Sequence, residues 1–130
     1  MKVMVVDDEV VSRKKLAKIV EELGIIHEFD RGDVALVAFE KALKEKQPYQ
    51  LITLDISMPD MDGLDVLNRI RQLEVDYKVA PDKQTKVVMV TSHDERDSIL
   101  AALSEKCSDY IVKPFNKEFI MERFRRIGVI

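Results

Sequence analysis

The stretch Lys2–Asp8, KVMVVDD, decides how the rest of the chain is read. Val3-Met4-Val5-Val6 is an unbroken apolar run with a β-branched bias, the pattern of a strand covered on both faces, and the carboxylates of Asp7 and Asp8 close it. The same arrangement recurs along the chain. Leu51-Ile52-Thr53-Leu54 ends in Asp55, Val87 to Val90 ends in the hydroxyls of Thr91 and Ser92, and Tyr110-Ile111-Val112 ends in Lys113. If these runs are parallel neighbours, their carboxyl ends meet at one edge, where open α/β sheets place their ligands. Acids, hydroxyls and an ammonium gathered there suit a divalent cation and a phosphoryl group.

Between the runs lie segments of helical period. Leu16, Ile19, Val20 and Leu23 share a face, opened by a Ser12 cap and closed by Gly24. Ile25–Phe29 reads as a second strand, Gly32 as a turn, and Val34–Lys44 as a second helix. The third strand spans Gln50–Leu54. A third helix starts after Gly63 and runs to about Lys78, with a short mobile loop carrying the chain to Thr85. Lys86–Val90, Ser98–Glu105, Asp109–Val112 and Lys117–Ile127 read as strand, fourth helix, strand and last helix, the last capped by Asn116. Five βα units in a row predict a parallel sheet with helices on both faces, because each parallel connection needs a right-handed crossover. The expected organisation is one domain over residues 1–130 with no output domain after it.

Composition narrows the function classes. A net charge of −3 gives no electrostatic case for nucleic acid, and Arg123, Arg125 and Arg126 read as a solvated helix end. No apolar stretch approaches the roughly 20 residues of a membrane span. The single cysteine, Cys107, cannot form an internal disulfide and reads as a packed thiol, which suits a cytoplasmic protein.

Taken together, Val5-Val6-Asp7-Asp8, the run Leu54-Asp55-Ile56-Ser57-Met58-Pro59-Asp60-Met61-Asp62-Gly63, Val90-Thr91-Ser92 and Asp109-Tyr110-Ile111-Val112-Lys113-Pro114-Phe115 resemble the receiver domains of two-component response regulators, in particular the single-domain chemotaxis regulators. The resemblance covers essentially the whole chain and implies a flavodoxin-like, five-stranded doubly wound parallel sheet. It implies Asp55 as phosphoacceptor, with Asp7, Asp8, Asp55 and the backbone carbonyl of Ser57 around Mg²⁺. Thr91, Ser92 and Lys113 would face the phosphoryl group, Tyr110 would be the switch aromatic, and Ser57 and His93 would tune dephosphorylation. It further implies a cis Lys113–Pro114 peptide. The implied partners are a sensor histidine kinase or histidine phosphotransfer protein, and a downstream protein on the face of the fourth helix, fifth strand and last helix.

Departures from the family pattern lie off the acceptor, acids and lysine. Lys106 stands where relatives end a helix with glycine, so either it takes a positive φ or the loop differs. Two rivals to a phosphoaccepting signalling domain stay open. One is an aspartate-nucleophile phosphatase, whose chemistry usually wants an acid two residues after the nucleophile, where this chain has Ser57. The other is a module that docks partners unphosphorylated.

Overall fold

The computed structural model describes residues 1–92 and 106–130. Strands β1 (Lys2–Val6), β2 (Ile25–Phe29), β3 (Leu51–Asp55), β4 (Lys86–Thr91) and β5 (Asp109–Val112) form one sheet in the order β2-β1-β3-β4-β5, every pairing parallel. Helices α1 (Val10–Val20), α2 (Gly32–Lys44), α3 (Gly63–Asp76) and a last helix (Lys117–Arg126) cover it. The fourth helix expected at Ser98–Glu105 lies outside the described residues.

Alternation along each strand divides the core. Met4, Val6, Ile52, Leu54, Val87 and Met89 pack with Phe39 of α2 and Leu67 and Ile70 of α3. Their strand neighbours Val3, Val5, Leu51, Val88 and Val90 pack with Leu16 of α1 and with Ile120 and Phe124 of the last helix. Successive side chains point to opposite faces, so a strand buried twice must be apolar at every position. That requirement explains the continuous runs in β1 and β4.

Helix ends account for most differences from the sequence reading. Ser12 is not the cap of α1: the helix starts at Val10 with Glu9 at the cap position, and the Ser12 hydroxyl donates to the Glu9 carboxylate at 3.1 Å. A short 3₁₀ turn, Glu21–Leu23, precedes Gly24. Gly32 is the first residue of α2 rather than a turn before it. Asn116 caps the last helix as expected, accepting from the Phe119 amide at 2.8 Å.

At the end of α3 the Lys78 amide donates to the Val75 carbonyl and the Val79 amide to Glu74, with Lys78 at φ 56°. This is the Schellman closure that glycine usually makes, and Lys46 (φ 58°) repeats it after α2. The connection to β4 is tied down rather than loose. Glu74, 1% exposed, accepts from the Thr85 amide at 2.7 Å and from Arg71 at 2.7 Å, and the Thr85 hydroxyl donates to the Tyr49 carbonyl.

Candidate functional site

The strand order reverses direction between β1 and β3, which is the crevice position for a ligand in a doubly wound sheet. β1 delivers Asp7 and Asp8 to that crevice and β3 delivers Asp55. Asp7, Asp8 and Asp55 each offer a carboxylate oxygen, all within 4.8 Å of one another. From the end of β5 the Lys113 ammonium reaches Asp7 at 3.2 Å and Asp55 at 3.7 Å. Lys113 is placed by its own amide, which donates to the Thr91 carbonyl at 2.8 Å, and the Lys113–Pro114 peptide is cis.

Electrostatics here are costly. Asp7 and Asp55 are almost fully buried while Asp8 is exposed. Burial first, and then the negative charge of Asp7, push the Asp55 carboxyl up to about 8, although Lys113 pulls the other way. For Lys113 burial favours the neutral amine, but the charges of Asp55 and Asp7 outweigh it and hold the ammonium above its ordinary value. The residues therefore crowd more negative charge than one lysine neutralises. A hard divalent cation with oxygen ligands fits such a donor set.

Around these groups lies an open cleft of about 430 Å³ lined by Asp8, Glu9, Asp55, Ser57, Ser92 and Lys113. Its wall includes Ser92 rather than Thr91. Thr91 is buried at the end of β4, with its hydroxyl donating to the Ser92 carbonyl at 3.1 Å. Tyr110 stands further back in the register, opposite Met89, half-buried against the α2–α3 side of the core. The Arg123 guanidinium lies 5.6 Å from its ring centre and is held by Asp109 at 3.2 Å. His93 lies outside the described residues.

Glu9 was not singled out by the sequence reading, yet it lines the cleft and approaches Lys113 at 3.8 Å. Its signal was adjacency to the acidic pair. Arg13 went unnoticed as well; it donates to the Asp7 carbonyl at 3.0 Å and pairs with Glu28, fixing the turn after β1. The φ of Lys106 turns on residue 105, which lies outside the described residues; the Lys106 ammonium donates to the Asn68 side-chain oxygen at 2.6 Å and its carbonyl accepts from Arg71 at 2.8 Å. The Cys107 thiol is pushed up by burial, in keeping with a packed thiol.

The response regulator receiver domain model matches residues 3–125. The chain belongs to the response regulator receiver domains. It is 28% identical over 127 residues to the chemotaxis protein CheY of Bacillus subtilis, covering 96% of this chain and 95% of that protein. It is 33% identical over 118 residues to the signal transduction histidine-protein kinase BarA of Escherichia coli, covering 91% of this chain but 12% of the kinase. Among solved structures, the CheX-CheY-BeF₃-Mg complex from Borrelia burgdorferi contains a chain matching it with a TM-score of 0.81 and 26% identity, over 100% of this chain and 90% of that one. The receiver is thus a signalling domain of two-component systems, with the flavodoxin-like fold of its relatives. No helix among the described residues is long and apolar enough to cross a membrane.

Proposed function

We propose that residues 1–130 act as one receiver unit in the cytoplasm. Asp55 accepts a phosphoryl group from the phosphohistidine of a sensor kinase or histidine phosphotransfer protein. The observation that carries this reading is the meeting of Asp7, Asp8 and Asp55 within 4.8 Å beside the Lys113 ammonium. An ionised Asp55 oxygen forms the new bond to phosphorus as the phosphorus–nitrogen bond breaks, and the departing imidazole keeps the electron pair. Lys113 neutralises charge on the phosphoryl oxygens, and the hydroxyl of Ser92 in the cleft wall, with Thr91 behind it, donates to them. Such catalysis is mostly positioning and electrostatics.

Asp7, Asp8, Asp55 and the Ser57 carbonyl would hold Mg²⁺, which supplies charge neutralisation during transfer. The BeF₃–Mg complex of the Borrelia relative supports that choice of ion. Ser57 and His93 set the lifetime of the aspartyl phosphate, and the domain assists its own dephosphorylation. Tyr110 relays the state of the site to the face of β5 and the last helix, where a downstream protein binds; residues 98–105, the other part of the expected output face, lie outside the described residues. The absence of an acid at position 57 favours this reading over a phosphatase.

Labelling with acetyl phosphate and Mg²⁺, read by intact mass, tests the assignment. One phosphoryl group on the wild type and none on Asp55→Asn is expected. Unchanged labelling of Asp55→Asn, mapped to Asp7 or Asp8, overturns the acceptor. Amide hydrogen exchange with and without beryllofluoride tests the output face, and changes confined to residues 73–85 would place it elsewhere.

A further inference from the structure

Glu9 stands at the mouth of the crevice, at the cap position of α1, yet its carboxylate makes no cap bond to the helix. One carboxylate oxygen accepts from the Ser12 hydroxyl at 3.1 Å, and the other faces the Lys113 ammonium at 3.8 Å. Among the described residues the neighbouring cations of α1 are engaged elsewhere. Arg13 and Lys14 pair with Glu28, and Lys15 donates to the Phe115 carbonyl. The Glu9 side chain is 60% exposed, against 21% for Lys113 and 7% for Asp55. Glu9 therefore forms the outer rim, and the reacting groups lie behind it. With Asp8 it makes the lip of the cleft acidic.

We propose that Glu9 selects the phosphodonor by charge. It disfavours dianionic acyl phosphates and leaves the advantage to donors whose phosphoryl group sits on a protonated nitrogen. This deepens the reading of Asp55 as acceptor and rests on it. A phosphoryl oxygen that reaches Lys113 must come close to the carboxylate facing the same ammonium. Acetyl phosphate arrives at neutral pH as a dianion. Phosphoramidate, and a phosphoimidazole with its ring protonated, are monoanions because a positive nitrogen offsets part of the charge. Phosphohistidine belongs to this second class.

Departure follows the same rule. With acetyl phosphate, an Asp55 oxygen bonds to phosphorus as the phosphorus–oxygen bond breaks, and acetate leaves with the electron pair. With a nitrogen donor the phosphorus–nitrogen bond breaks, the nitrogen keeps the pair, and a neutral amine leaves. Only the acyl donor brings the full charge in and sends an anion out past Glu9. One unit of charge about 6 Å away in water-like surroundings changes a rate by roughly threefold. Glu9 is a filter and not a block. A carboxylate that merely occupied Lys113 would slow every donor alike.

The test follows labelling of the full chain by acetyl phosphate and, separately, by phosphoramidate, read by intact mass. Both run at neutral pH and low salt with the same excess of Mg²⁺. The readout is the ratio of the two initial rates, in which a loss common to both donors cancels. Glu9→Gln should raise the ratio of acetyl phosphate to phosphoramidate by roughly threefold, and Glu9→Lys by roughly tenfold. Added salt should shrink these differences, because the charge at position 9 is exposed. A ratio unmoved by both substitutions, or two rates that rise in step, overturns the proposal while labelling stays on Asp55. So does a shift in ratio that persists at high salt, which would assign the preference to shape rather than charge. Labelling that persists in Asp55→Asn, or none on the wild type with either donor, overturns the acceptor assignment and this proposal with it.

Discussion

Gly63 is pressed against the backbone of Asp55. A methyl group on Gly63 would run into the Asp55 carbonyl oxygen and stand 2.7 Å from the Ile56 Cα, while the Gly63 amide donates to the Ile56 carbonyl at 2.8 Å. The first turn of α3 therefore rests directly on the strand end that carries Asp55, the proposed acceptor. Gly63→Ala should push β3 and α3 apart at that point. A loss of about 1–3 kcal/mol is expected in urea denaturation, typical of overpacking. Labelling by acetyl phosphate should slow at the same time. Wild-type stability would mean that the backbone yields without cost.

Asp60 caps α2 from another part of the chain. Arg31, at the cap position of α2, makes no side-chain cap bond, and the Asp60 carboxylate supplies it by accepting from the Gly32 and Asp33 amides. Removing a capping carboxylate typically costs about 1 kcal/mol. Asp60→Ala should show that loss in equilibrium unfolding, together with faster amide exchange at residues 32–34. Unchanged exchange there would show that water replaces the carboxylate.

Much of the fold was legible because its signals are local. A strand buried on both faces must be continuously apolar, so β1, β3 and β4 announced themselves, and the acids and lysine at their ends announced the crevice. What escaped was non-local. Asp60 lies 28 residues from the amide it caps, and nothing near Arg31 marks the partnership. Lys46 and Lys78 close helices at positive φ without the glycine that would have flagged the turn. Glu74 sits in a helical pattern as one more charged residue, and its burial became visible only when Thr85 and Arg71 were placed around it. The exposed valines of α2 were also silent, because a helix with apolar residues on two faces reads much like one with a broad single face.

Glu74 and Arg71 should behave as a coupled pair. Arg71 spans the Glu74 carboxylate, the Thr85 carbonyl at 2.9 Å and the Lys106 carbonyl at 2.8 Å, binding α3 to the approaches of β4 and β5. Glu74→Ala leaves that guanidinium without its counter-charge and the Thr85 amide unpaired in the interior. Breaking such a pair from one side costs about 3 kcal/mol or more. Arg71→Ala should cost a similar amount, and the double variant should lose clearly less than the sum of the two. Strict additivity in a double-mutant cycle would show that the residues act separately.

Stability of the metal-free receiver should fall as pH rises. Burial and the neighbouring Asp7 push the Asp55 carboxyl to about 8, whereas an unfolded aspartate ionises near 3.9. Between roughly pH 4 and 8 the native state therefore holds a proton that the unfolded chain has released. The folded state binds more protons, so the unfolding free energy decreases with pH through that window and levels off above it. Mg²⁺ favours the ionised carboxylate, so its stabilising effect should grow in the same direction. At one hundred times its dissociation constant a ligand adds roughly 2.7 kcal/mol, well within reach of a melting measurement. Asp55→Asn keeps the shape of the side chain and removes its titration, and it should flatten the pH slope and reduce the response to Mg²⁺. Asp8→Ala should reduce the Mg²⁺ response alone, because Asp8 is exposed and is not a main cause of the rise at Asp55. Melting curves from about pH 5 to 9, with and without Mg²⁺, separate these cases. Identical slopes in wild type and Asp55→Asn would show that other groups carry the pH dependence, and a melting temperature indifferent to Mg²⁺ throughout would take the ion out of the site.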